Sequence, residues 1–144
     1  MKATIYSCLI LDFDTETDYL PTYVIDNVEF MILDYTTRLK IFKFFVFFSG
    51  AFSHYCIQLL SRLKDNFPYL KICILSSTHN INNKYLSDFD VVDDIIKVDT
   101  SLLAIIQDII TLDCKTAIIH SNRHDNYEEI FAVLKKNHIQ TIVT

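Results

Sequence analysis

Two short polar stretches hold the side chains best suited to chemistry. Ser76-Ser77-Thr78-His79 closes the apolar run 71–75, and Ser121-Asn122-Arg123-His124 closes the run 116–120. Ser77, Thr78, His79, Asn122, Arg123 and His124 together offer hydroxyls, an amide, a guanidinium and two imidazoles. Such groups hold phosphate oxygens or an RNA backbone. Both stretches leave β-rich runs, so in a parallel sheet they would share one edge, the usual place for a ligand. The competing reading is that polar residues simply populate loops.

Other chemistries are poorly served. His120 to His124 hints at a metal, but a zinc site needs three or four converging ligands. No spacing supplies a Cys or carboxylate partner, so neither metal nor cofactor is expected. A nucleophilic Ser or Cys needs a base and an orienting acid beside it, and no Gly-x-Ser-x-Gly occurs. A dinucleotide fold needs glycines in its first turn, and the chain has one Gly. Residues 12–18 are acidic and read as a solvated loop. These points predict a protein that is not an enzyme.

The elements that would position the polar stretches follow from periodicity. Residues 3–11 read as a strand. Pro21 opens an extended segment, with a strand at 28–33 ended by Asp34. Ile41, Phe45, Phe48, Phe52, Tyr55, Leu59 and Leu63 recur at helical spacing, which predicts one helix from Thr37 to Asn66, kinked at Ser49-Gly50. The alternative is a strand at 42–48 and a helix from 52. Pro68 blocks further helix. Strands are predicted at 71–75 and at 91–98, the latter broken by Asp93-Asp94. Asp99 can cap a helix carrying Leu102, Ile105, Ile106, Ile109 and Ile110. The strand 116–120, a helix carrying Tyr127, Ile130, Phe131 and Leu134, and the strand 139–143 form a strand–helix–strand unit. Asp125 and Glu128 suit the start of its helix, and Lys135-Lys136 suit its end. Such a unit implies a parallel sheet. The predicted fold is α/β, a single three-layer domain over 1–144 with a mainly parallel sheet flanked by helices, Rossmann-like or flavodoxin-like.

Totals narrow the function classes. The 144 residues suffice for one domain with a substantial core. A net charge of −5 argues against a free-standing nucleic-acid binder, which must displace counterions from phosphates. No long uncharged apolar stretch predicts a membrane span. The N-terminus does not read as a cleavable signal, because Asp12, Asp14 and Glu16 follow too soon. Cys8, Cys56 and Cys73 sit in apolar segments and read as buried thiols, with Cys114 the fourth cysteine. Twenty Ile, eleven Phe, eight Tyr and eight Asn beside one Gly point to an AT-rich genome.

Three resemblances carry further expectations. Leu20-Pro21-Thr22-Tyr23-Val24, Phe30-Met31-Ile32-Leu33-Asp34, Cys73-Ile74-Leu75-Ser76-Ser77-Thr78 and His138-Ile139-Gln140-Thr141-Ile142 resemble, in order and pattern over residues 20–144, the small-subunit ribosomal protein S-two family in a divergent organellar form. That resemblance implies a non-catalytic constituent of the mitochondrial small ribosomal subunit, in the matrix or alternatively the cytoplasm. Its expected partners are ribosomal RNA and neighbouring proteins, with no membrane and no small-molecule substrate. Phe48-Ser49-Gly50-Ala51, Leu63 to Pro68 and Val92 to Lys97 are similar to the amino-terminal half of heptosyltransferase-like GT-B enzymes, inactive or incomplete here. Residues 44–110 resemble a response-regulator receiver domain, with Phe47-Phe48 where its phosphoacceptor would stand.

Overall fold

The computed structural model describes residues 5–14, 19–76, 91–98, 101–111, 113–121 and 128–144. Among them the order is β1 (Tyr6–Asp12), α1 (Thr22–Thr37), β2 (Ile41–Phe47), α2 (Ala51–Lys64), β3 (Lys71–Ser76), β4 (Asp94–Lys97), α3 (Leu102–Ile110), β5 (Cys114–His120), α4 (Glu128–Lys136) and β6 (Gln140–Val143). The six strands form one sheet in the order β4-β3-β2-β1-β5-β6. Every neighbouring pair is parallel. This is the three-layer α/β domain expected from the sequence.

Strand alternation builds two cores, one on each face. Cys8, Ile10, Phe44, Val46, Ile72, Ile74 and Ile118 point toward α1 and α2. Leu9, Leu11, Phe45, Cys73, Leu75, Ala117 and Ile119 point toward α3 and α4. Strands covered on both faces have no polar alternation to show, which is why Ile41–Phe47 is almost wholly apolar. Burying one such side chain contributes roughly 1.5–3 kcal/mol. Cys8, Cys56 and Cys73 are buried among these residues, as expected.

The N-terminal half departs from expectation in two places. Residues 22–37 are helical, where an extended segment and a strand were expected. Val24, Val28, Met31, Ile32 and Tyr35 are the buried stripe of α1. The apolar residues Phe30 and Leu33 face outward, and they fill the gaps that would have revealed the period. The single helix 37–66 is instead β2, a turn and α2, the strand-then-helix alternative. A strand buried on both faces is apolar at nearly every position, so residues at helical spacing can be picked from it even though Ile41 and Phe45 lie in opposite cores. Two smaller differences concern the second half. The fourth strand starts at Asp94, and Ser101 rather than Asp99 is the N-cap of α3, its Oγ accepting from the Ala104 amide at 3.4 Å. Asp99 and Asp125 lie outside the described residues.

Candidate functional site

The carboxyl ends of the central strands meet at the switch point of the topology. From β1 the chain runs outward through β2 and β3, while β5 lies against the opposite side of β1. The helices α1 and α2 cover one face, and α3 and α4 the other. A crevice opens where such connections diverge. The residues that reach it are Asp12 and Asp14 after β1, Ser49 and Gly50 after β2, and His120 at the end of β5.

Asp12 is fully buried. Its Oδ2 accepts from the Ser53 amide at 2.9 Å and its Oδ1 from the Asp14 amide at 3.0 Å. Gly50, the N-cap of α2, has no side chain, so Asp12 supplies the missing cap from another strand. Burial pushes the Asp12 carboxyl above the usual carboxylate range, against the pull of the Ser53 and Asp14 amides. The Ser49 hydroxyl donates to the Asp12 carbonyl. Ser53 Oγ accepts from the Ser49 and Gly50 amides at 3.0 and 3.1 Å and locks the turn.

Gly50 is required here for space. Its φ of −161° is ordinary extended backbone, but a Cβ would stand 2.5 Å from the Asp14 carbonyl oxygen. The β2–α2 turn therefore presses directly on the segment that carries both carboxylates.

His120 completes the cluster. Its ring stacks on Phe52 with centroids 4.4 Å apart and planes at 18°. Its Nδ1 lies 3.0 Å from Thr144 Oγ1, and its Nε2 lies 3.6 Å from Asp14 Oδ2. Phe52 and Thr144 thus fix the ring so that one nitrogen faces a carboxylate. Outside this pair a cleft of about 210 Å³ opens, lined by Asp14, His120, Thr144, Val24, Pro21 and the rings of Tyr19 and Tyr23. Among the described residues no group of three or more His, Cys, Asp or Glu is placed to hold a metal ion by itself.

The residues singled out from the sequence flank this place. Ser77, Thr78, His79, Asn122, Arg123 and His124 all lie outside the described residues. The strands they follow, β3 and β5, do end on the same edge, but β2 and β1 stand between them. Three strand spacings put those exits roughly 14 Å apart. The space between belongs to Asp12, Asp14, Ser49 and Gly50. The reading of residues 12–18 as a solvated acidic loop is thereby corrected for Asp12 and Asp14, both buried. Two signals pointed there: an Asp-x-Asp step that directly closes an apolar strand, and the chain's single glycine just after an aromatic one.

Fold and site together define a doubly wound α/β domain whose carboxyl edge holds two buried carboxylates, a Ser-Gly turn at a helix N-terminus and an oriented imidazole. Compared with protein-family models and with curated proteins, the chain matches none.

Proposed function

We propose that this edge handles a phosphoryl group, and that the domain hydrolyses a phosphate monoester through an aspartyl-phosphate on Asp12. The observation that carries this reading is the position of Asp12, at the switch point against the N-terminus of α2, with Asp14 two residues on beside the cleft. Carboxylates serve as nucleophiles toward phosphorus. A helix N-terminus favours phosphate, because its first amides have no partner within the helix. In α2 the first of these belong to Ala51 and Phe52.

The steps balance with the residues at hand. An Asp12 oxygen attacks phosphorus as the bond to the ester oxygen breaks, and Asp14 gives its proton to the departing alcohol. Asp14 then takes a proton from water, whose oxygen attacks the same phosphorus. The bond to Asp12 breaks, and orthophosphate leaves. His120, 3.6 Å from Asp14, holds that carboxyl in place between the two transfers. Asp12 and Asp14 would hold a hard divalent cation such as Mg²⁺, which needs only one or two protein carboxylates. The cation would offset the negative charge gathered there.

Hydrolysis of p-nitrophenyl phosphate with Mg²⁺ and with chelator tests the reading. The expected result is cation-dependent turnover that falls by a factor of about 10² or more in Asp12→Asn and in Asp14→Asn. Mass spectrometry of acid-quenched Asp14→Asn should find phosphate on Asp12, because its release lacks a base. An inert wild-type protein, or full activity in Asp12→Asn, would remove the proposal.

A second reading is supported by the outer face of α1. Tyr23 and Phe30, two turns apart, are 67% and 73% exposed, and Leu33 lies beside them. Apolar side chains gathered on a surface favour a docking role. This suits the non-catalytic constituent of a mitochondrial small ribosomal subunit suggested by residues 20–144, docked on ribosomal RNA and neighbouring proteins. Co-sedimentation of the tagged chain with small subunits tests it, and a chain found only in the free fraction would end it.

A further inference from the structure

The cleft beside Asp14 has a chemical character of its own, and what it selects rests on the phosphoryl-transfer reading. We infer that it receives the leaving group of the ester and that this group carries an aromatic ring. The cleft offers about 210 Å³ of space. Benzene fills a cavity of roughly 150 Å³ in an engineered protein interior, so one ring with a short substituent fits.

The walls select for a ring. Tyr19 and Tyr23 stand on either side of Pro21, are 72% and 67% exposed, and line the cleft. Aromatic rings prefer offset-stacked or edge-to-face partners. Among the described lining residues Asp14 and His120 meet, with His120 Nε2 3.6 Å from Asp14 Oδ2. Among the described lining residues there is no Lys or Arg. A ring attached through one short linker places its ester oxygen next to Asp14, the group proposed to protonate it.

Benzyl phosphate and butyl phosphate form a matched pair, because their alcohols leave with similar acidity and differ in the ring. We expect the wild-type protein to favour benzyl phosphate in kcat/KM by about tenfold, the size of one or two ring contacts. Tyr19→Ala/Tyr23→Ala should lose this preference, with a fall in kcat/KM about tenfold greater on benzyl than on butyl phosphate. Both tyrosines are surface residues, so folding should survive, and thermal melts check it. Equal rates on the two esters, or an equal loss on both in the variant, would overturn the inference. Binding of benzyl alcohol, followed by saturation-transfer NMR, separates this failure from failure of the catalytic reading. Binding lost in the double variant supports the aromatic cleft even if no ester is hydrolysed. Turnover of both esters without alcohol binding would leave the catalysis standing and remove the cleft assignment.

Discussion

Asp12 shows how a residue can serve a site at a cost to the fold. Two backbone amides hold its carboxylate, yet burial pushes its pKa up from 3.8. A carboxyl whose folded pKa exceeds its unfolded one favours folding while protonated. Its contribution is full below the unfolded value and is lost as pH rises through the raised folded value. Urea unfolding across the pH range above 3.8 should therefore show stability from this group falling as pH rises. Asp12→Asn should remove that slope, whatever constant offset its amide adds against the Ser53 and Asp14 N–H groups; parallel curves would refute the assignment. Asp93 has the opposite sign. It accepts from Lys64 Nζ and from the Ile72 amide, both at 2.8 Å, and its pKa is lowered despite partial desolvation. Its contribution is present above the unfolded value and is lost as pH falls, so the two effects occupy different windows. Gly50 carries a steric prediction. Gly50→Ala must move backbone by the contact its Cβ would make at 2.5 Å, so a loss of about 1–3 kcal/mol is expected in a denaturant melt. Activity should fall with it, because the displaced atom belongs to Asp14. In the sequence Asp12, Asp14 and Gly50 were visible as residue types. Their meeting was not, because it depends on β2 lying beside β1, a contact across some forty residues.

Among the elements, the shortage of glycine shows at three strand entrances. Lys40, Asp113 and His138 all have φ between 56° and 59°, the left-handed region. Lys40 and Asp113 each stand immediately before a strand, and His138 two residues before β6. The bonds around His138 define its role. Ile139 N–H donates to Leu134 O at 3.0 Å and His138 N–H to Lys135 O at 3.1 Å. That pair is a Schellman ending, with His138 at the position where Gly is usual. A left-handed residue with a Cβ costs about 1–2 kcal/mol, and the greater unfolded freedom of Gly offsets part of the gain. His138→Gly should stabilise the domain by about 0.5–1 kcal/mol. A lower melting temperature would mean that the imidazole contributes more than the strain costs. This ending was hard to read from the sequence, since its usual marker is absent. The same difficulty ran through α1, which begins at Pro21 without a side-chain cap and carries Phe30 and Leu33 on its outer face. The body of the closing helix α4 was easier to follow, because Glu128-Glu129 in its first turn and Lys135-Lys136 in its last suit the two ends of a helix.

Across the whole molecule, the sheet order divides rigid parts from yielding ones. The closing strand–helix–strand unit was enough to imply parallel pairing, because a parallel neighbour requires a crossover. It could not reveal that β5 returns beside β1, since strand order depends on contacts between distant segments. That return leaves β1, which ends at Asp12 and leads directly to Asp14, paired on both sides by long neighbours. The edges are different. β4 and β6 have four residues each, are paired on one side and are largely open to solvent. Local opening begins where buried contacts are few, and central strands open only with global unfolding. The site spans this divide, because Thr144, which fixes the His120 ring, follows β6 and is held through its amide to Ile119 O at 2.8 Å. Native-state amide exchange should find Cys8 to Leu11 and Phe44 to Val46 the slowest, near the global unfolding free energy, with β4 and β6 exchanging much faster. A benzylphosphonate that fills the cleft should slow exchange at Thr144 and along β6, because a ligand bound only to the closed edge stabilises it by mass action. Protection confined to β1, with β6 unchanged, would show that the edge strand does not help to form the cleft.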